Sequence, residues 1–496
     1  MHADTAVDVA IIGAGFSGLA TAIRLREQGL DDFVVLERHE DVGGTWWANT
    51  YPGCACDVPS HLYSLSFAPN PDWTHTYSAQ PEIRAYLQRL ARDRDLYRSI
   101  QLGTTVTGAD WDEDAGRWAL TTSGGTVRAR VLVAGQGPLT EPRVPEVRGL
   151  DTYAGRVFHS ARWDHGHDLR GRRVAVIGTG ASAIQFVPAI QPLVEDLVVY
   201  QRAPPWVLPH PDRPIREGER RLFRRVPAVQ RALRAGIYAA RELLIPGLTR
   251  RPALMQAVEA MSRRHLRDQV ADPELRARLT PDYRIGCKRM LPSDGWYPAL
   301  CADNVRLVTE PIQEVRPGSI VSADGAEHAV DTIIFGTGFH VADMPIGDWV
   351  RGRDGRTLTE AWGGSPRAHL GSMVAGFPNL FMLLGPNTGL GHSSVVYMIE
   401  SQVAYLMDAL RVMRERGAAV AEVRPEVQAA YNQEVDARME RTVWSTGCAS
   451  WYQDATGRNP TLWPDWTWRF RRRTRRFDPA EHTLRAATPE RTPVAA

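Results

Sequence analysis

Ile11-Ile12-Gly13-Ala14-Gly15-Phe16-Ser17-Gly18 is the stretch that decides the fold. Upstream, residues 6–12 form a short apolar run of strand length. Downstream, residues 17–28 carry apolar side chains at helical spacing, and residues 33–36 form a second short apolar run. The reading is strand, glycine turn, helix, strand, with the two strands parallel. The three glycines act differently. Gly13 permits the tight turn, Gly15 lets the backbone approach a pyrophosphate, and Gly18 lets helix and strand pack closely. The helix that opens at Ser17 offers free N–H groups and the positive end of its dipole to the phosphates. Glu37 ends the second strand, 19 residues beyond Gly18, where an acidic side chain binds ribose hydroxyls. A tight turn without a ligand is the bland alternative; strand, helix and acidic residue together argue against it.

The unit recurs. Strands are expected over 172–177 and 196–200 and a helix over 182–189, around Gly178-Thr179-Gly180-Ala181-Ser182-Ala183. Ala183 is the permitted variant of the third glycine. Thr179, Ser182 and Gln185, on this loop and the start of its helix, are candidate cofactor contacts. Here Arg202 follows the second strand in place of an acid, and a planar cationic fork suits the 2′-phosphate of NADP. Lys288 is a candidate second cation. Glu37 is compatible with FAD or NAD. The position of its site at the start of the chain, with a second site behind it, favours FAD first and NADPH second.

The fold class expected is therefore α/β, with two Rossmann-like dinucleotide-binding domains and a helical insertion. The FAD domain is placed at 1–142 and 339–496. The NADPH domain is placed at 143–208 and 285–338, around arginine-rich helices at 209–284. A hairpin is expected over 117–122 and 126–133, strands over 304–308, 331–335 and 379–384, and a long helix over 394–414.

Composition narrows the function. The 496 residues suffice for two to four domains. Lys and Arg number 59 against 57 Asp and Glu, a net charge of +2, so no global pull toward nucleic acid or anionic membrane exists. A charged leader and an apolar run of about 18 residues are both lacking, so neither a signal peptide nor a membrane span is expected. Five cysteines make no disulfide scaffold, and a cytoplasmic, reducing location is expected. Cys54-Ala55-Cys56 has the wrong spacing for a redox pair; Cys287, Cys301 and Cys448 are scattered. No His/Cys cluster has metal-ligand spacing, so no metal is expected. The basic run at 468–477 reads as an extended segment docked on the flavin domain, its arginines solvated or paired.

Two longer patterns carry a resemblance. Gly43-Gly44-Thr45-Trp46, four residues, Tyr51-Pro52-Gly53, three residues, Asp57 is similar to a pattern of the type I Baeyer–Villiger monooxygenases. So is Tyr153-x-Gly155, three residues, His159, three residues, Trp163-Asp164, with Tyr153 where the family has Phe. Residues 331–339, Gly385-Pro386-Asn387 and Ser450-Trp451 also fall where that family has such segments, whereas 452–463 departs from its usual continuation.

The resemblance implies that FAD is reduced by NADPH and captures O₂ as a 4a-peroxyflavin, which converts a ketone to an ester or lactone. It implies that Arg289 stabilises the peroxide charge and that Asp57 orients Arg289. It makes Thr45, Trp46, Tyr63, Val106 and Asn387, with Phe16 of the first loop, FAD contacts, and gives Trp451 the nicotinamide ribose. His159 is expected to be structural, at the domain junction, with Trp163 and Asp164 sharing that role. The expected partners are a small ketone and O₂, with no nucleic acid, in a monomer or homodimer. Oxidation of sulfur or amine nitrogen is the alternative activity; a flavin-binding partner or sensor protein is the non-enzymatic one.

Overall fold

The computed structural model describes residues 5–446 and 448–486. Thr5–Ile12 pairs in parallel with Phe33–Leu36 on one side and with Gly125–Ala134 on the other. Its helix, Phe16–Glu27, starts directly after the glycine turn. The sheet runs from Val350–Arg351 through Val106–Asp112, Arg117–Thr122, Gly125–Ala134, Thr5–Ile12 and Phe33–Leu36 to Ile100–Gln101. Leu380–Met382 joins it in parallel beside Gly125–Ala134. Two strands that follow residue 339 in sequence thus return to the first sheet. Every residue of Phe33–Leu36 is buried, as a strand covered on both faces requires. The long helix Val395–Glu415 packs on Phe16–Glu27.

The second sheet is wholly parallel: Val305–Val308, Asp196–Tyr200, Arg173–Ile177, Thr332–Phe335 and Arg156–His159, in that spatial order. It is a second doubly wound unit, so the α/β class with two Rossmann-like sheets stands. Between its halves lie the helices Glu217–Arg225, Pro227–Glu242, Ile245–Thr249, Gln256–Gln269 and Pro273–Arg278.

Three features differ from expectation. A small antiparallel sheet, Ile312–Arg316 with Ser319–Ser322 and Glu327–Ala329, is added to the second doubly wound unit. Ala418–Val423 pairs with His482–Ala486 near the end of the chain. The basic run is not extended: Thr467–Arg473 is a helix with Phe470 buried. Three of its arginines are paired, Arg469 with Asp465 at 3.1 Å, Arg471 with Glu400 at 2.9 Å and Arg473 with Glu434 at 2.9 Å, while Arg472, Arg475 and Arg476 are exposed. The repeated arginines sit at helical spacing beside acids from distant segments, which a local reading does not reveal. Among the described residues, no helix is long and apolar enough to cross a membrane.

Candidate functional site

The first glycine loop is shaped by contacts that exclude side chains. A Cβ on Gly18 would stand 1.8 Å from the Gly13 carbonyl oxygen, and one on Gly44 would stand 2.9 Å from Gly15 Cα. Bare backbone therefore closes on bare backbone beside the helix N-terminus, whose free N–H groups suit a pyrophosphate. Glu37 is buried, and its carboxylate accepts N–H bonds from Ala14 at 2.6 Å and His39 at 2.9 Å. Phe16, Trp46 and Tyr63 come together: the Phe16 and Tyr63 rings are 5.1 Å apart, and Trp46 Nε1 donates to the Tyr63 hydroxyl at 3.2 Å. Thr45 opens the short helix Thr45–Ala48, and Val106 opens its strand, partly buried. These residues fit a flavin dinucleotide.

At the second loop, a Cβ on Gly178 would stand 2.6 Å from the Gly336 carbonyl oxygen. Thr179 donates its hydroxyl to the Ala203 carbonyl at 3.3 Å, and Ser182 stands immediately before the helix Ala183–Ile190. Arg202 is exposed, and Lys288 lies close enough to feel its charge. Burial and then the Arg202 charge lower Lys288 from its ordinary value. Two cations held near each other this way suit a phosphate anion.

Gln185 is placed differently. Its side-chain oxygen accepts from the Tyr51 hydroxyl at 2.9 Å and the Ala55 N–H at 3.3 Å, and its amide nitrogen donates to the Ala55 carbonyl at 3.0 Å. Gly53, at φ +78°, presses on the Gln185 backbone, where a Cβ would be 2.7 Å from its carbonyl oxygen. The Tyr51-Pro52-Gly53 segment is therefore a joint between the two dinucleotide units. His159 ends the edge strand of the second sheet, buried, with Nδ1 accepting the Ala161 N–H at 3.1 Å and its ring 5.7 Å from Phe339. Burial lowers it to about 4, so it is neutral. The Trp163 ring packs on Phe158 and Phe186, and Asp164 pairs with Arg156.

Arg289 and Asp57 meet as a two-point fork, Nε to Oδ2 at 2.5 Å and Nη2 to Oδ1 at 2.6 Å. Nη1 donates to the Leu390 carbonyl at 3.1 Å. Burial works to raise the Asp57 carboxyl, but the Arg289 charge and bonds outweigh it and hold it below its ordinary value. Burial likewise opposes the Arg289 charge, and Asp57 outweighs that, raising the guanidinium further. Arg241 adds positive charge here and donates to the Tyr77 hydroxyl at 3.1 Å. The sequence singles out neither; the helical insertion reads as plain arginine-rich helix.

Asn387 adopts φ +56°, and its side chain is occupied by the protein. Nδ2 donates to the carbonyls of Asn459 and Leu462, and Oδ1 accepts from Arg458 at 2.9 Å. It ties the Gly385-Pro386-Asn387 loop to the C-terminal segment. Trp451 is 46% exposed and rests its ring 4.3 Å from that of the buried Tyr452. Cys287 and Cys448 are not scattered: a disulfide joins them across 161 residues, with Cα atoms 6.3 Å apart. Spacing in sequence gives no sign of so distant a pairing. Cys54 and Cys56 are free and buried, and burial raises the Cys54 thiol to about 12, which leaves it inert. Also unforeseen is a buried cluster in which Glu242 accepts from His392 Nε2 at 3.0 Å, Thr467 N–H at 3.0 Å and Thr467 Oγ1 at 2.7 Å.

Comparison with known proteins adds identity to this geometry. A family model described as FMO-like, flavin-binding monooxygenase-like, matches residues 6–216. A Baeyer-Villiger monooxygenase of Streptomyces coelicolor is 52% identical over 485 residues, covering 97% of this chain and 93% of its own. The structure of an oxidized steroid monooxygenase bound to NADP superposes with a TM-score of 0.86 at 33% identity, covering 97% of this chain and 100% of that one. The closed crystal structure of cyclohexanone monooxygenase does so with a TM-score of 0.87 at 29% identity, covering 98% and 100%.

Proposed function

Because the chain belongs to the Baeyer–Villiger monooxygenases, we propose that it inserts one oxygen atom of O₂ beside the carbonyl of a ketone, giving an ester or lactone. It is an NADPH-dependent flavoprotein monooxygenase whose cofactors are FAD and NADPH. Reduced FAD supplies the activated oxygen when bound, and the protein's share is orientation, charge and exclusion of water.

The observation that carries the ketone reading is the Arg289–Asp57 fork. Oxygen transfer to a carbonyl builds negative charge on oxygen, and a guanidinium keeps a permanent positive charge to meet it. Asp57 fixes the plane of that guanidinium at two points, and the Leu390 carbonyl fixes a third N–H. A ketone substrate is further supported by the likeness to cyclohexanone monooxygenase.

In this reading Gly13, Gly15, Gly18, Glu37, Thr45, Trp46, Tyr63 and Val106 hold FAD, in a domain of residues 1–142 and 339–496. Gly178, Gly180, Thr179, Ser182, Arg202 and Lys288 hold NADPH, and Trp451 contacts its ribose. Gln185 and Asn387 act one layer out, by joining the segments that carry these groups.

The test is to supply FAD-loaded protein with NADPH, ¹⁸O₂ and a panel of cyclic and linear ketones. Esters carrying one ¹⁸O, read by mass spectrometry, are expected. NADPH consumption that yields only hydrogen peroxide across the whole panel would overturn the reading.

A further inference from the structure

The disulfide lies in a telling place. Cys287 immediately precedes Lys288 and Arg289, and Cys448 stands three residues before Trp451. Residues 448–451 belong to no helix or strand. On the far side of Trp451 the chain is held by Tyr452, which is buried beside Cys287, Trp206, Tyr283 and Leu248. The Tyr452 carbonyl also accepts the Thr461 hydroxyl at 3.1 Å. Trp451 is thus suspended between two anchors, one packed and one covalent. The two residues are unequally placed: Cys287 is fully buried and Cys448 partly so.

We propose that Cys287 and Cys448 are a reducible cross-link that sets how tightly the enzyme holds its nicotinamide cofactor. The proposal rests on the reading of Lys288 and Trp451 as contacts of that cofactor. Oxidised, the pair clamps the Trp451 segment to the segment bearing Lys288 and Arg289. Reduced, it leaves the Trp451 segment held by the buried Tyr452 and by the local Ser450–Gln453 turn, with no covalent tie to the segment bearing Lys288, and more of its ordering must then be supplied by cofactor binding.

The reductant is a dithiol. One of its thiolates attacks Sγ of Cys448, the less buried residue of the two; the S–S bond breaks and its electron pair leaves on Cys287 Sγ, which takes a proton. The second thiol attacks the mixed disulfide, frees Cys448 as a thiol and leaves as a cyclic disulfide. Two electrons and two protons pass to the pair. Hydrogen peroxide reverses the change: two thiols and one peroxide give the disulfide and two waters.

The experiment uses the FAD-loaded enzyme purified without reductant. Alkylation in denaturant followed by peptide mapping is expected to label Cys54, Cys56 and Cys301, and to return a peptide pair joined through Cys287 and Cys448. Label on all five cysteines overturns the proposal. NADP⁺ affinity is then measured by calorimetry before and after dithiothreitol, and in Cys448→Ser. Reduction is expected to weaken binding about tenfold with FAD content unchanged. Cys448→Ser is expected to bind weakly with or without dithiothreitol, and Cys301→Ser to behave as the parent. Equal NADP⁺ affinity in all forms overturns the proposed role. If NADPH fails to bleach the flavin even in the oxidised enzyme, the cofactor-site reading itself falls and the proposed role with it. The labelling pattern reports on the cross-link independently of that result.

Discussion

Arg289 reaches Asp57 across 232 residues of sequence and binds it at both carboxylate oxygens, at 2.5 and 2.6 Å. The pair is neither a surface contact nor fully enclosed: the side chains remain 26% and 20% exposed. An ion pair at that depth keeps its charges and its geometry together. A third N–H on the Leu390 carbonyl removes the last rotational freedom of the guanidinium. The arrangement therefore presents a fixed cation, one that no accessible pH neutralises.

Replacing Arg289 by Ala removes that cation while leaving both glycine loops intact. NADPH should still bleach the flavin, ester formation should disappear, and consumed O₂ should appear as hydrogen peroxide. Anaerobic spectroscopy and product analysis separate the two half-reactions. Ester formation at the parent rate would show that another group carries the charge.

Arg202 and Lys288 should decide the choice between NADPH and NADH. A charge-assisted bond to phosphate contributes about 1.5–3 kcal/mol, so Arg202→Ala should raise the KM for NADPH roughly ten- to a hundredfold. The KM for NADH, which lacks the phosphate, should change little. Steady-state kinetics with both nucleotides checks the asymmetry; an equal change for both would place Arg202 elsewhere than at the phosphate.

Part of this is legible in the sequence because it is local. Gly13 to Gly18, Glu37 and the strands around them obey short-range rules, and the second unit repeats those rules closely enough to reveal itself. The Arg289–Asp57 pair is non-local and is reached only through resemblance to a family. Gln185 and Asn387 read as cofactor contacts, yet their amides bond to Tyr51, Ala55, Asn459, Leu462 and Arg458. A side chain's type and position do not say whether a distant group of the protein will also bond to it. The same holds for Cys287 with Cys448, and for Glu242 with His392 and Thr467, partners that only the folded chain brings together.

Glu242 joins the helical insertion, the loop after Asn387 and the C-terminal segment in one buried cluster. All three of its bonds come from donors: His392 Nε2, the Thr467 N–H and the Thr467 hydroxyl. Glu242→Gln substitutes an NH₂ for one accepting oxygen and sets donor against donor, at a cost of about 1–3 kcal/mol. Glu242→Ala leaves His392 Nε2 and the Thr467 N–H buried without their acceptor, while the Thr467 hydroxyl keeps the Tyr238 hydroxyl at 3.0 Å, and should cost about 3–5 kcal/mol. Urea denaturation of the FAD-loaded variants should rank them parent, Gln, Ala. A Gln variant as stable as the parent would mean that water or rearrangement satisfies the cluster.

Acid should destabilise the protein through its buried histidines. Burial lowers His61, His159 and His482 to about 4 from an ordinary value of 6.5. His482 shows why the neutral form is built in: Nδ1 donates to the Asp478 carbonyl at 2.7 Å, and Nε2 is left to accept the Tyr405 hydroxyl at 2.9 Å. Between pH 6.5 and 4 the unfolded chain binds protons that the folded one refuses, so stability rises with pH in that window. The contribution is fully present above the unfolded value and is lost as pH falls toward the folded one. Each such histidine adds up to about 1.4 kcal/mol per pH unit to the slope. His159→Asn keeps an acceptor for the Ala161 N–H, which His159 Nδ1 now receives at 3.1 Å, but does not titrate. Its thermal midpoint should therefore fall less steeply than the parent's between pH 7 and 5. Equal slopes would show that His159 takes up its proton without unfolding.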